Sequence, residues 1–292
     1  MTTTDVNQHH DLEDFTVDTA TVDDWRQITA WGNQEGWNIG FHDAECFFAA
    51  DPGGFFIGRV GGRPVSAVSM VNYSDEFSAW GHYLVDPRLR GRGYGQGVWE
   101  VAVRHAGSRA ASGDAMPGVV GFYRREGMVP VHHTVHWAGR LARAGREVDG
   151  VEPVRPEQLG AVADYDGECF PAHRPGFLGR WLFAPGHVAR ARWAGGRVTG
   201  YGVLRPAPAG YRIGPLVADT PRIAAEVFDA LTAHLRPGAE VSAFSPEVQE
   251  AAAPLLSAGG LAERFRLVRV HRGAPPAHRA RNVYAIASLE LG

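Results

Sequence analysis

At 292 residues the chain exceeds one average domain of about 150 residues, so two domains are the first expectation. Its 45% hydrophobic and 21% charged residues are the make-up of a globular protein with a buried core. A net charge of −3 and a pI near 6.5 exclude the basic footprint of a nucleic-acid-binding domain, so no nucleic-acid partner is expected.

Residues 1–12 are polar and acidic, without the basic start or apolar core of a signal peptide, and are expected to form a disordered tail. No apolar run approaches the roughly 18 residues of a membrane span, so no membrane partner is expected. Only 2 cysteines point to a reducing compartment and a cytoplasmic location. All 29 basic residues are arginine, which fits codon bias and carries no functional inference.

In chain order, Phe15 to Thr19 alternates like a strand. Thr21-Val22-Asp23-Asp24 reads as a capping box that opens a helix to about Trp31. A loop rich in aromatic and amide groups, WGNQEGWNIG, precedes a short helix from His42 to Ala49. Phe55 to Val60 and Pro64 to Tyr73 form a hairpin on Gly61-Gly62. Ala79 to Val85 is the next strand, and it stops at Asp86-Pro87. The glycine- and arginine-rich segment Arg88 to Gly97 then leads into a helix from Gln96 to about His105. Met116 to Val120 is expected as a fifth strand, Phe122 to Glu126 as a short helix ended by Gly127, and Val129 to Trp137 as a closing strand.

The segment 141–156, charged and punctuated by Gly and Pro, reads as a linker. Beyond it the plan repeats. Glu168-Cys169-Phe170 echoes Glu45-Cys46-Phe47, and Gly195-Gly196-Arg197 echoes Gly61-Gly62-Arg63. Ala218-Asp219 echoes Val85-Asp86, but Thr220-Pro221 then opens an ordinary capped helix with no glycine loop. A further helix is expected from Ser245, with strands at Arg264 to His271 and Asn282 to Leu289.

A strand, a glycine loop and a helix start make an anion-binding construction, because the first helical N–H groups lack intrahelical partners and lie at the positive end of the dipole. The anion is not held by a Walker loop, since no lysine exists. The dinucleotide spacing G-x-G-x-x-G also fails: counted from Gly91 it ends on Gln96, and counted from Gly93 on Val98. What fits is R-x-x-G-x-G at Arg90-Gly91-Arg92-Gly93-Tyr94-Gly95.

This stretch resembles the acyl-CoA pyrophosphate loop of the GNAT superfamily of N-acetyltransferases. A second motif of that family is matched downstream, with its aromatic pair and glycine, by Gly121-Phe122-Tyr123-Arg124-Arg125-Glu126-Gly127. With the repeat, the chain resembles a tandem type in which only the first copy keeps the phosphate loop. The resemblance implies an α/β (α+β mixed-sheet) fold of two tandem GNAT-like domains, each a mostly antiparallel sheet flanked by helices. The boundaries expected are 13–140 for an acyl-CoA-binding catalytic domain, 141–156 for the linker and 157–292 for a degenerate second domain.

The implied activity is acyl-CoA-dependent N-acylation, with acetyl-CoA as co-substrate, no metal, and a small-molecule amine as acceptor in a ternary complex. The alternatives are a non-catalytic acyl-CoA sensor or scaffold, and a protein or peptide N-acetyltransferase. The resemblance assigns cofactor binding to Leu84, Val85, Arg90, Gly91, Arg92, Gly93, Tyr94, Gly95 and Gln96. It makes Tyr123 the acid that protonates the departing thiolate, since a phenol stays protonated at neutral pH. His82 is the base whose intrinsic pKa suits best, with Asp43 and Glu45 as further candidates. Trp37, Asn38 and Asp43 are expected to contact the acceptor, along with Trp31, Asn33 and Glu35. His132 and His136 share a strand face, but without a Cys or carboxylate between them no metal site is expected. A monomer or homodimer is expected.

Overall fold

Thr21 and Asp24 exchange hydrogen bonds as the capping box requires: the Thr21 hydroxyl accepts from the Asp24 N–H at 3.1 Å, and the Asp24 carboxylate accepts from the Thr21 N–H at 3.0 Å. The computed structural model describes residues 14–291. The expected tail, residues 1–12, lies outside the described residues. The cap joins strand β1 (Phe15–Thr19) to helix α1 (Val22–Gln34), and α2 (Asp43–Phe48) follows. The hairpin of β2 (Phe55–Val60) and β3 (Arg63–Asn72) turns on Gly61 and Gly62 at φ 54° and 77°, a region that glycine enters without a Cβ clash. Strand β4 (Phe77–Val85) leads through the glycine loop to α3 (Tyr94–Ala106).

The fifth strand is not Met116–Val120. Strand β5 spans Ala110–Ala115, and a 3-10 turn at Pro117–Val119 leads into α4 (Val120–Arg125). The sequence AASGDA has low strand propensity. It forms a strand because its small side chains let Trp80 pack against it: a Cβ on Gly113 would lie 2.3 Å from the Trp80 ring.

After β6 (Val129–Arg140) the expected linker contains β7 (Val151–Pro153), which pairs with β8 (Val188–Ala194). Between them lie α5 (Leu159–Cys169) and α6 (Pro175–Trp181). Strands β9 (Arg197–Pro206) and β10 (Tyr211–Ala218) precede α7 (Pro221–Thr232), which is capped by the Thr220 hydroxyl. Ser245 lies within a strand, β11 (Glu240–Pro246), rather than opening a helix, and α8 is Ala252–Ala258. Strand β12 (Leu261–Arg272) is longer than expected, and the last strand, β13 (Val283–Ala285), is shorter.

The 13 strands among the described residues form one sheet in the order β1-β2-β3-β4-β5-β12-β6-β11-β10-β9-β8-β7, with β13 beside β10. The pairs β4–β5 and β10–β11 are parallel and the rest are antiparallel. The two halves exchange their closing strands: β12 pairs with β5 of the first half, and β6 pairs with β11 of the second. They meet where β6 and β12 run side by side, with Thr134 opposite Leu267.

Alternate residues of β2 and β3 divide between two cores. Phe56, Val68 and Met70 pack with Trp80, Trp99 and Tyr123 under α3 and α4. Phe55, Ile57 and Ala67 pack on the other face in a cluster that takes Trp25 and Phe47 from α1 and α2, and Phe177 and Trp181 from α6. Phe47 stacks on Trp181 at 5.9 Å, so this core is shared by both halves. Among the described residues no helix is long and apolar enough to cross a membrane.

Candidate functional site

The turn after β4 is built by Asp86, whose carboxylate accepts from the Arg88 N–H at 3.0 Å and from the Arg88 guanidinium at 2.8 and 3.1 Å. That pairing holds the Asp86 carboxyl down at about 2. Arg90 is also engaged: its Nε donates to Val85 O at 3.2 Å, and it pairs with Glu35 at 3.1 Å. Arg92 is exposed and forms no ion pair with the described residues. Gly91 and Gly93 turn the chain at φ 78° and 92°, and α3 starts at Tyr94, two residues earlier than expected.

From Gly91 to Gln96 no backbone N–H donates to another described residue, and the first bond of the helix is Gly97 N–H to Gly93 O at 3.0 Å. This row of free donors at a helix start is an anion cradle. The glycines divide by role. Gly91 borders open space, whereas a Cβ on Gly95 would meet the Tyr83 hydroxyl at 2.9 Å and one on Gly97 would meet Phe15 at 2.6 Å. The first keeps the anion side open; the other two let the helix settle on β4 and β1.

Strand β4 carries a bulge beside this cradle. Ala67 faces Leu84 while Ser69 faces Gly81, so β4 holds one residue more than β3, and His82 takes up φ +48°. On its other edge β4 pairs with β5 only from Phe77 to Ala79. Beyond Ala79 the two strands part, and the stretch with Leu84 and Val85 has no strand partner on that side among the described residues.

Tyr123 sits on α4, 3% exposed, with ring centroids of Trp80, Trp99 and Phe122 at 5.6, 5.5 and 5.2 Å. Burial drives its phenol pKa well above the ordinary value, against a smaller opposing pull from Trp80. The group is therefore a proton donor at any ordinary pH.

His82 lies on the opposite face, 2% exposed, with the rings of Trp25, Phe47 and Trp37 at 5.1, 5.2 and 6.4 Å. Its Nδ1 lies 3.0 Å from the Ser69 hydroxyl, which donates to Glu290 O at 3.3 Å. With the serine proton on that carbonyl, Nδ1 carries the imidazole hydrogen and Nε2 is left as a lone pair. Nε2 is buried and has no partner among the described residues. Burial pushes the His82 pKa down to about 4, partly offset by Glu290 and Asp43, so the ring is neutral at pH 7.

Glu290 is a residue that sequence reasoning missed. After β13 the chain returns to the first half, and a Cβ on Gly81 would lie 2.3 Å from Glu290 O. The Tyr73 hydroxyl donates to Leu291 O at 3.0 Å, and the buried Glu290 carboxylate lies 3.6 Å from Arg212. No local pattern signals this return, because it is set by strand exchange.

The expected acceptor contacts separate. Trp37 is half-buried beside His82. Asn38 instead docks on the β9–β10 turn, its Oδ1 accepting from the Ala209 N–H at 2.7 Å while Arg212 donates to its carbonyl at 3.1 Å. Asp43 is 0% exposed and accepts from the Arg205 Nε at 3.0 and 3.1 Å and from the Gly40 N–H at 3.0 Å. No part of its carboxylate is open to an acceptor. Asn38 and Asp43 pin the α1–α2 connection to the second half. Glu45 pairs with Arg26 at 2.7 Å, and Asn33 holds the backbone of Ile39. Of the paired histidines, His136 stacks on Phe244 at 4.4 Å, while His132 lines a cavity between the halves. Cys46 and Cys169 are buried free thiols whose pKa burial raises to about 12.

Comparisons with known proteins cover both halves. The acetyltransferase (GNAT) family matches residues 22–128, and an acetyltransferase (GNAT) domain matches residues 162–285. A holothin acyltransferase of Pseudoalteromonas sp. (strain SANK 73390) is 31% identical over 95% of this chain and 95% of its own length. A putative acetyltransferase from Pyrococcus horikoshii shares the fold at TM-score 0.80 and 21% identity, over 98% of this chain and 100% of that one. A tandem GNAT protein from the clavulanic acid biosynthesis pathway aligns at TM-score 0.57 and 17% identity, over 88% of this chain and 98% of the other.

Proposed function

The chain belongs to the acetyltransferase (GNAT) family, and on that premise we propose that it transfers an acetyl group from acetyl-CoA to the amine of a small molecule in a ternary complex. The observation that carries this reading is the run of unpaired N–H groups from Gly91 to Gln96 beside the open edge of β4. The pyrophosphate sits on those N–H groups, with Arg92 as a free cation at the rim. The pantetheine arm follows the unpaired edge of β4, and N–H groups around Leu84 and Val85 face the thioester oxygen as it gains charge.

The acceptor nitrogen then bonds to the thioester carbon, and the C–S bond breaks. Tyr123 gives its proton to the departing thiolate, and His82 Nε2 takes the proton from the attacking amine. A folded pKa of about 4 keeps that nitrogen unprotonated across the neutral range. The expected acid limb of kcat/KM is therefore near pH 4 rather than near 6.5. A limb near 6.5 that survives His82→Gln would remove His82 from the role.

The test is calorimetric titration of the full chain with acetyl-CoA, beside a Gly93→Glu variant. Binding by the wild type and none by the variant supports the reading, and an amine screen that includes holothin follows. A folded wild type that binds neither acetyl-CoA nor longer acyl-CoAs overturns it.

A further inference from the structure

Burial makes Tyr123 a secure holder of its proton and, for the same reason, a reluctant giver of it. The phenolate left behind loses most of its hydration in a nearly closed site. Giving the proton to a departing thiolate therefore calls for a hydrogen-bond donor at the phenol oxygen. The three rings around Tyr123 differ in what they offer. Phe122 has no polar hydrogen. The Trp99 indole N–H is spent on the Glu126 carboxylate at 2.9 Å. The Trp80 indole N–H is unspent: its nitrogen is buried and has no hydrogen-bond partner among the described residues.

The fold holds that indole beside the phenol. Trp80 follows Ala79, where β4 and β5 part, and its ring lies against β5. A Cβ on Gly113 would come within 2.5 Å of the indole Nε1, so the N–H edge rests on bare backbone. The Tyr123 ring centroid is 5.6 Å from that of Trp80, with the planes inclined at 34°. At rest the N–H falls short of a full hydrogen bond to the neutral phenol, yet it already pulls against the effect of burial. The Asp114 carboxylate pushes the other way, and it is engaged by Arg269 and Thr134.

A buried donor with no other partner gains most when the oxygen beside it becomes charged. We propose that Trp80 is a positioning residue for acyl transfer, its indole N–H donating to the Tyr123 oxygen as that oxygen gives up its proton. This rests on the reading of Tyr123 as the acid. In the step, the C–S bonding pair goes to sulfur and the phenol proton follows it there. The O–H pair stays on the Tyr123 oxygen as phenolate. The indole keeps its own proton throughout, and solvent water restores the phenol before the next turnover.

The test needs no acceptor. The full chain is made with difluorotyrosine in place of Tyr123, a phenol more acidic than tyrosine, and fluorine NMR follows its ionisation with pH. Trp80→Phe removes the N–H and is expected to weaken that ionisation about tenfold, the worth of one hydrogen bond to a charged group. Packing loosened by the same change would admit water and strengthen ionisation, so a merely structural role moves the titration the opposite way. If Trp80→Phe fails to fold, the indole N–H resonance of Trp80 in the difluorotyrosine chain is read instead, and it is expected to move downfield as residue 123 ionises. Ionisation unchanged or strengthened in folded Trp80→Phe, or an indole proton indifferent to it, would overturn the proposal. Unchanged turnover in Tyr123→Phe would overturn the acid reading and this inference with it. Impaired turnover in Tyr123→Phe beside a failed titration would overturn this inference alone.

Discussion

The two halves contain the same construction in opposite states. In each, a parallel strand pair holds together for a short stretch and then parts: Phe77–Ala79 against Ala110–Ser112 in the first half, and Tyr211–Ile213 against Val241–Ala243 in the second. In each, the strand before the helix also has a register shift. In the second half the gap is filled. Strand β13 pairs with β10 at Leu216 and Val217, and the Ile286 N–H donates to Phe244 O on β11 at 2.9 Å. Its helix start is closed as well, since the Thr220 hydroxyl accepts from the Ile223 N–H at 3.2 Å and Pro221 has no N–H to offer. In the first half the equivalent helix start keeps its donors free. The difference lies in unspent backbone hydrogen bonds, which the second half has spent on itself.

The contrast is broken most severely by Gly93→Glu. A side chain at φ +92° is strained and adds a negative charge to the proposed anion cradle, so acetyl-CoA affinity is expected to fall by about a thousandfold or more in calorimetry. Asp43→Ala tests how the halves are joined. It leaves Arg205 buried and unpaired and is expected to cost about 3–5 kcal/mol in denaturant unfolding. A raised KM with unchanged stability would instead return Asp43 to the acceptor site.

Tyr123→Phe is expected to lower kcat about tenfold or more while acetyl-CoA affinity stays within about twofold, as loss of a group used only in the transition state requires. Unchanged turnover would leave the residue a packing element under α4. Thr220→Ala is the smallest change: about 1 kcal/mol less stability and no change in acetyl-CoA affinity. Low pH acts on both halves. His82, His132, His136, His187 and His271 all have folded pKa values pushed down to about 4 by burial. The unfolded chain takes up those protons near 6.5 and the folded chain does not, so the stability they contribute is lost as pH falls from about 6.5 toward 4. Melting temperature against pH reads it directly.

The residues that carry strong local chemistry were legible. Thr21 and Asp24 form the cap their spacing demands, Gly61-Gly62 makes its hairpin, and Arg90 to Gly95 forms the loop its glycines announce. What stayed hidden is non-local. Ala110 to Ala115 is a strand because Trp80 needs Gly113, a partner far away in sequence. Asp43 reads as a free carboxylate until Arg205 arrives from β9. Glu290 reaches His82 through Ser69 only because the last segment crosses to the first half. In each case the deciding neighbour belongs to the far side of the strand exchange or to a separate element of the same sheet, where periodicity carries no information.

The exchange of β6 and β12 also sets a timetable for synthesis. Asp114 of β5 meets Arg269 of β12 across 155 positions of chain, so the first half cannot close its sheet when its own last strand leaves the ribosome. At about 5–20 residues per second, β5 and β6 wait many seconds with unpaired edges before β12 emerges to lie between them. Such edges are templates for wrong pairing. The nascent chain is thus most exposed to misassembly when its first half is already complete in sequence, and a chaperone that shields strand edges has its greatest effect in that interval.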